Sequence, residues 1–169
     1  MRHLPTLDEP TGVMLVDDHA VVREGYRRLL ALETDIVVTG DYANVEEVLA
    51  ALQVDAVSTQ VLVMDLSMPG RDGMELLRRV RLWWPALQVL VFSMHDSPAL
   101  VLKALRNGAM GYITKSSPPQ DLVAAVRHAA RGQMVLSSDV ANVVGGHAGP
   151  QQAAQWRAAT DDLQGLLAG

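Results

Sequence analysis

The sequence predicts an α/β protein with a doubly wound, five-stranded parallel sheet in a three-layer α/β/α sandwich. Short, continuous apolar runs alternate with longer amphipathic stretches, which is typical of strands buried on both faces and of the helices that cover them. This alternation repeats five times. The 169-residue chain is too short for a (β/α)₈ barrel, which needs roughly 250 residues. Right-handed crossovers therefore favour the sandwich.

The predicted strands are compact apolar runs, and several of them end abruptly in a polar residue. They cover residues 13–16, 36–38, 61–64, 89–92 and 112–114. Their length of three or four apolar residues is short for a helix and suits a buried strand.

Each predicted strand is followed by a helix whose apolar residues recur at helical spacing. The predicted helices cover residues 20–32, 45–52, 74–84, 98–105 and 119–131. Asn44 is expected to cap the second helix, Ser97-Pro98 to open the fourth and Pro118-Pro119 to open the fifth. Proline and glycine then end the helices, as at Gly132.

The pattern changes after Gly132, which divides the chain into four expected segments. An N-terminal arm (1–11) precedes the main domain (12–132). A linker (133–152) contains a short apolar stub at 134–136, one or two helical turns at 139–144 and a glycine-rich run. The tail (153–169) has a helical pattern.

Composition excludes several classes of protein. The chain has no cysteine, so disulfide scaffolds, thiolate zinc sites and cysteine nucleophiles are excluded. A net charge of −5 and 4% aromatic residues argue against a nucleic-acid surface spread over the whole chain. No apolar run approaches the roughly 20 residues that span a bilayer, and no signal peptide is visible. We therefore expect a soluble, cytoplasmic protein without membrane contact.

Polar side chains follow four of the five strands, where functional groups of such sheets gather. They are Asp17 and Asp18 after the first strand, Asp65 after the third, Ser93 after the fourth and Lys115 after the fifth. Clustered carboxylates repel one another unless a cation intervenes, and their hard oxygen ligands suit Mg²⁺. Lys115 adds a fixed positive charge, so the edge suits an anion, best a phosphoryl group. His19 and His95 lie nearby in the sequence, but oxygen ligands already suffice.

Each of these residues also has an ordinary structural explanation. The pair Asp17-Asp18 precedes a helix and can serve as its N-cap and dipole complement. Asp65 can be a turn residue, Lys115 a solvated surface lysine and Ser93 a helix cap. Their joint occurrence at one sheet edge favours the functional interpretation over these separate ones.

The set resembles the receiver domain of two-component response regulators, in the NarL/FixJ-like (LuxR-type) class, over roughly residues 12–132. The resemblance is carried by VMLVDDHAVVREGYRRLL, VLVMDLSMPGRDGMELLRRV, VLVFSMHD and GAMGYITKS. It implies a flavodoxin-like, receiver-type fold with strand order 2-1-3-4-5. It also implies a phosphoryl acceptor rather than an enzyme, with at most slow self-phosphorylation and self-dephosphorylation.

The resemblance further implies a role for each matching residue. Asp65 would be the phospho-acceptor, and Ser93 and Lys115 would bind the phosphoryl oxygens. The ligands of Mg²⁺, or of Mn²⁺, would be Asp17, Asp18, Asp65 and the backbone carbonyl of Ser67. Inward movement of Ser93 would free space for Tyr112 to rotate in, which would alter the surface formed by the fourth helix, fifth strand and fifth helix.

Partners follow from the same resemblance. They are a cognate sensor histidine kinase, a second copy of the chain on phosphorylation, and DNA only through an output domain absent from this chain. The chain is then the N-terminal part of a transcription regulator, with a stand-alone receiver, a phosphorelay module or an unphosphorylated interaction module as alternatives. A haloacid-dehalogenase-like phosphatase is disfavoured, because its second aspartate is replaced by Ser67.

Overall fold

A computed structural model describes residues 9–67 and 73–147. Its strands are β1 (Thr11–Val16), β2 (Ile36–Tyr42), β3 (Val61–Met64), β4 (Gln88–Ser93), β5 (Gly111–Thr114) and β6 (Val135–Leu136). Its helices are α1 (Ala20–Ala31), α2 (Val45–Val54), α3 (Gly73–Trp83), α4 (Pro98–Arg106), α5 (Pro119–Ala130) and α6 (Ser138–His147). Among the helices described, none combines the length and the apolar character needed to cross a bilayer.

The strands form one parallel sheet in the order β2-β1-β3-β4-β5-β6. The predicted fold class is confirmed, and the first five strands have the order that the resemblance implies. The sixth strand goes beyond the prediction of five strands. It comes from the apolar stub after Gly132 and pairs Val135 with Gly111 and Leu136 with Tyr112. A strand of two residues is too short to show a hydrophobic period in the sequence, so only its pairing with β5 identifies β6 as a strand.

Two layers of apolar side chains cover the two faces of the sheet. On one face, α1 and α5 pack through buried residues that include Leu30, Val123 and Val126. The other face is covered by α2, α3, α4 and α6, with buried residues that include Leu52, Leu77, Val101 and Val140. The strands between these layers are apolar on both faces, which explains their continuous apolar sequences.

The predicted starts of three helices are observed. The Asn44 Oδ1 accepts a hydrogen bond of 2.9 Å from the Glu47 N–H, which caps α2. The Ser97 Oγ caps α4 by accepting from the Leu100 N–H at 3.4 Å. At the start of α5, Pro119 occupies the first turn, where its missing N–H costs no helical hydrogen bond. Gly132, with φ of 73°, lies just past the end of α5.

The chain after Gly132 packs against the sheet as far as the structure describes it. Residues 135–147 lie within the range predicted as a linker, yet they form β6 and α6. Val140 and Val144 of α6 are buried in the same core as α4. The domain boundaries themselves stay a prediction, and the helical tail predicted at 153–169 lies outside the described residues.

Gly12→Ala is expected to lower the free energy of unfolding by about 3 kcal/mol, because a methyl group there overpacks β1. A Cβ on Gly12 would lie 1.9 Å from the backbone oxygen of Ser58, which cannot move without shifting the chain. Gly25→Ala is the control, since a Cβ on this α1 residue meets nothing within 4 Å. It should raise stability by roughly 0.5–1 kcal/mol. Urea unfolding followed by circular dichroism measures both, and equal effects would contradict the packing described.

Candidate functional site

Backbone hydrogen bonds between neighbouring strands bring the strand-end side chains to one edge of the sheet. The Asp17 N–H donates to the Tyr42 carbonyl at 3.1 Å, and the Asp65 N–H donates to the Val16 carbonyl at 3.2 Å. Two strands further along, the Lys115 N–H donates to the Ser93 carbonyl at 2.8 Å. The ladders therefore continue one residue past the ends of the strands, and this fixes where the polar side chains begin.

Lys115 bridges the two carboxylates that directly follow β1 and β3. Its Nζ lies 2.6 Å from Oδ2 of Asp17 and 2.9 Å from Oδ2 of Asp65. All three side chains are buried, with exposed fractions of 6% for Lys115, 9% for Asp17 and 4% for Asp65. Asp17 and Lys115 are 98 residues apart in the sequence, so only the tertiary fold brings them into contact.

The electrostatic balance of this bridge favours the charged forms. Burial alone would raise the pKa of Asp17, but hydrogen bonds from the Lys115 ammonium and the His19 N–H outweigh burial and lower it. Burial alone would lower the pKa of Lys115, but its bonds to Asp17 and Asp65 raise it. One buried ammonium therefore contacts two aspartates, and Asp18 is a third aspartate in the same cluster.

Asp18 leaves an oxygen atom available to a cation. Its Oδ1 is buried and has no hydrogen-bond partner among the described residues, although His19 Nδ1 lies 3.2 Å away. One donor atom each from Asp17, Asp18, His19 and Asp65 lies within 4.8 Å of the others. An orphaned carboxylate oxygen beside two further carboxylates fits a hard divalent cation. The Ser67 N–H donates to Asp65 Oδ1 at 2.9 Å, which fixes the loop next to this cluster.

An open cleft leads from solvent to the bridge. It is lined by His19, Val22, Tyr26, Asp65, Ser67, Met94, His95 and Lys115. The rim residues Ser67, Met94 and His95 are exposed, whereas Asp65 lies at the base. A small reagent can thus approach the Asp65 carboxylate from one direction.

Ser93 and Tyr112 both bond to the loop that follows β4. Ser93 is fully buried, and its Oγ accepts a hydrogen bond of 3.2 Å from the His95 N–H. The Tyr112 hydroxyl donates to the His95 carbonyl oxygen at 2.5 Å, and the ring is fully buried. The inward position that the resemblance assigns to Tyr112 after activation is therefore already occupied in this structure.

Tyr112→Phe is expected to remove an ionisation step near pH 12 from the alkaline titration. Burial raises the pKa of Tyr112 to about 12, since the Asp65 and Asp96 charges add to burial and outweigh a hydrogen bond with Ser93. The unfolded chain loses this proton near pH 10, so the stability that Tyr112 contributes is lost as the pH rises from about 10 to about 12. Tyrosinate absorbance measures the step, and a variant that lost its step near pH 10 instead of near pH 12 would contradict the burial.

Arg23 supports the site, although no motif in the sequence marks it. In the sequence, Arg23 lies outside the apolar stripe of the helix predicted over residues 20–32, and no motif there indicates a function for it. In the structure its guanidinium donates to the Asp17 carbonyl oxygen and, at 3.0 Å, to Asp41 Oδ1. It therefore holds the turn after β1 against the end of β2. Its position on the first turn of α1, four residues after His19, was the only signal in the sequence.

The sequence of this chain is similar to those of known proteins. The sequence model of the response regulator receiver domain family matches residues 13–127. The transcriptional regulatory protein UhpA of Salmonella typhimurium is 42% identical over 129 residues, covering 76% of this chain and 63% of UhpA. The nitrate/nitrite response regulator protein NarL of Escherichia coli is 35% identical over 136 residues, covering 80% of this chain and 62% of NarL. The chain thus spans just under two thirds of the length of these relatives.

Solved structures give the same result. A LuxR-family two-component response regulator from Aurantimonas sp. SI85-9A1 is 39% identical with a TM-score of 0.77, over 81% of this chain and 96% of that one. The isolated REC domain of RcsB from Salmonella enterica serovar Typhimurium, solved with the phosphomimetic BeF₃⁻, is 27% identical with a TM-score of 0.74, over 80% and 99%. The resemblance found in the sequence is confirmed. This chain belongs to the response regulator receiver domain family, in the NarL- and LuxR-like class.

Proposed function

We propose that this chain accepts a phosphoryl group on Asp65 and thereby controls the output of a two-component transcription regulator. The observation that carries the proposal is the buried bridge in which the Lys115 ammonium contacts both Asp17 and Asp65 at the base of an open cleft. A merely structural ion pair has no need of a third carboxylate beside it, one of whose oxygens has no hydrogen-bond partner in the part of the chain that the structure describes. Asp18 supplies that oxygen.

The proposed reaction is an in-line displacement at phosphorus. An Oδ atom of Asp65 forms the new O–P bond, and the bond between phosphorus and the donor's leaving group breaks. The leaving group departs with the electron pair and takes up a proton from solvent. The product is an acyl phosphate, with Lys115 positioned to pair with its oxygens once Asp65 no longer carries the full negative charge.

Receiver domains bind Mg²⁺ at an acidic pocket, and this chain has an acidic cluster at the corresponding edge. Asp17, Asp18, Asp65 and the backbone carbonyl of Ser67 are the proposed ligands of Mg²⁺ or Mn²⁺. Asp18 is the best candidate for direct contact, because Asp17 is already engaged by Lys115. When bound, the cation supplies positive charge that offsets the repulsion between carboxylates and phosphoryl oxygens.

Ser93 and Tyr112 are the proposed switch. Both contact the backbone of His95, through its N–H and its carbonyl oxygen respectively. If the Ser93 hydroxyl bonds a phosphoryl oxygen instead, the loop after β4 loses one of these contacts. Ser93 then has two arrangements, one bonded to the His95 N–H and one bonded to the phosphoryl group. The phosphoryl contact stabilises only the second arrangement, so phosphorylation raises its population.

Response regulators of this kind pair with sensor kinases, and a solved relative, RcsB, is described as dimers bound to DNA. For this chain we propose a cognate sensor histidine kinase as phosphodonor, a homodimer on phosphorylation and a cytoplasmic location. DNA contact would need an output domain beyond the receiver. A stand-alone receiver or phosphorelay module differs from this proposal only in lacking that output.

Acetyl phosphate and Mg²⁺ test the proposal directly. The chain should gain the mass of a single phosphoryl group, and hydroxylamine should remove it, as expected of an acyl phosphate. The adduct should map to the peptide that contains Asp65. Sustained release of phosphate from a phosphomonoester over many turnovers, without an adduct, would instead indicate a hydrolase.

A further inference from the structure

The end of β5 is bonded to the start of α6 through three residues, which we name the clasp: Thr114, Ser137 and Asp139. The Thr114 Oγ1 donates to Asp139 Oδ2 at 2.5 Å, and the Thr114 N–H donates to Ser137 Oγ at 3.3 Å. The Ser137 N–H donates to the Tyr112 carbonyl oxygen at 3.1 Å. The segment after Gly132 therefore holds the end of β5, at Tyr112 and Thr114, through both its side chains and its backbone.

Two of the three clasp residues are buried, and the third, Asp139, is half-buried. Thr114 is 3% exposed and Ser137 is 4% exposed, so their polar groups need hydrogen-bond partners within the protein. The Thr114 hydroxyl also bonds the Ser116 and Ser117 hydroxyls, at 3.1 and 3.0 Å, and Asp139 is its charged partner. Burial alone would raise the pKa of Asp139, but hydrogen bonds from Thr114 and Ser137 lower it. The carboxylate is therefore charged near neutral pH. Hydrogen bonds to a charged acceptor are roughly twice as strong as neutral ones, and losing such a partner in a buried site is costly.

The clasp adjoins the phosphoryl-accepting pocket on the same strand. Thr114 directly precedes Lys115, whose ammonium bridges Asp17 and Asp65. Tyr112 lies two residues before Thr114, and alternate residues of a strand point to the same face. Tyr112 and the α6 residues Val140 and Val144 belong to one core cluster. A shift of Thr114 must therefore move Lys115 on one side and Tyr112 on the other.

We propose that Asp139 is a positioning residue for the phosphoryl-accepting pocket: by holding Thr114, it fixes the end of β5 so that Lys115 stands between Asp17 and Asp65. This inference rests on the proposed function. It also reaches beyond the family's domain, because Asp139 lies outside the matched residues 13–127. Since coupling between two sites is reciprocal, occupation of the pocket must in turn strengthen the attachment of α6.

Binding of beryllofluoride in the presence of Mg²⁺, measured by calorimetry on the whole chain, tests the proposal. Asp139→Ala and the isosteric Thr114→Val should each weaken binding roughly 5- to 20-fold, within the usual range of coupling between sites. The double variant should bind less weakly than the sum of the two single effects predicts, because both substitutions remove the bond between Thr114 and Asp139. Thr114→Ser, which keeps the hydroxyl, and Asp139→Asn, which keeps an acceptor oxygen, should bind within about threefold of the parent. Asp121→Ala, which removes a carboxylate from the first turn of α5, is the matched control.

A second measurement separates positioning from stability. In the parent, beryllofluoride should slow amide hydrogen exchange across α6, and Asp139→Ala should abolish that slowing. If Asp139→Ala and Thr114→Val lower the melting temperature but bind beryllofluoride within twofold of the parent, Asp139 only stabilises the fold and the inference is wrong. If the parent itself fails to bind beryllofluoride, the proposed function fails and this inference falls with it.

Discussion

Lys115→Met should lower the free energy of unfolding by about 3–5 kcal/mol near neutral pH, the usual cost of breaking a buried ion pair by removing one partner. The variant leaves Asp17 and Asp65 buried side by side without the ammonium that now lies within 3 Å of both. Methionine keeps most of the volume, so the loss is electrostatic rather than a cavity. Urea unfolding monitored by circular dichroism measures it.

The same variant should show a distinctive pH dependence. In the parent, the pKa of Asp17 is lowered, so its stabilisation is present above the ordinary value of about 3.9 and is lost as the pH falls through the lowered value. Without Lys115, burial is opposed only by the hydrogen bonds from His19, so the pKa of Asp17 rises relative to the parent and the variant can relieve its repulsion by binding a proton. The difference between parent and variant should therefore be smaller at pH 5 than at pH 7.5.

Lys103→Met is the matched control, because Lys103 is the exposed lysine of α4. A surface substitution of this kind should change stability by no more than about 0.5 kcal/mol. Equal losses in the two variants would mean that Lys115 is not an essential counter-charge. Mg²⁺ should stabilise Lys115→Met more than it stabilises Lys103→Met, since only in Lys115→Met does the cation replace a missing positive charge at the pocket.

Asp65→Asn should reduce phosphoryl incorporation from acetyl phosphate to background. The amide is nearly isosteric with the carboxylate, but it lacks the charged nucleophilic oxygen that attacks phosphorus. Its carbonyl oxygen can still accept from the Ser67 N–H, and Lys115 keeps its bond to Asp17. The variant should therefore remain folded, and intact-mass measurement after incubation with Mg²⁺ and acetyl phosphate isolates the chemical effect.

Asp96→Asn controls for this experiment, because Asp96 is an exposed carboxylate in the loop after β4. It should incorporate phosphoryl groups as the parent does. An adduct of unchanged stoichiometry in Asp65→Asn would show that another side chain is the acceptor. Mapping that adduct to Asp17 or Asp18 would reassign the chemistry within the same acidic cluster.

The strand-end cluster was predictable because it follows from two regular properties of parallel sheets. Strands buried on both faces read as continuous apolar runs, and their carboxyl ends share one edge. Once the runs before Asp17 and Asp65 were identified, the meeting of these residues followed without any knowledge of side-chain packing. The caps at Asn44 and Ser97 were equally visible, since capping depends on residues only three positions apart.

The features that the sequence concealed depend on contacts between distant residues. Asp139 bonds Thr114 across 25 positions, and neither residue type predicts the other. The inward position of Tyr112 depends on a hydrogen bond to the backbone carbonyl of His95. Every residue has a backbone carbonyl, so no sequence pattern marks this one. The role of Arg23 likewise depends on the carbonyl of Asp17 and on the carboxylate of Asp41 in β2. Tertiary packing decides such contacts, and local pattern does not.

The sheet has two outer strands, and their shapes limit how copies of this protein can associate through the backbone. At one side β6 has only two residues and leads at once into α6, which leaves little unpaired backbone for another chain. At the other side β2 has seven residues, but Thr39 is an extra residue where the register with β1 shifts between Val13 and Met14. Such a bulge interrupts the ladder and increases the local twist. Growth of the sheet from molecule to molecule, the usual first step of fibrous aggregation, is therefore hindered at both sides.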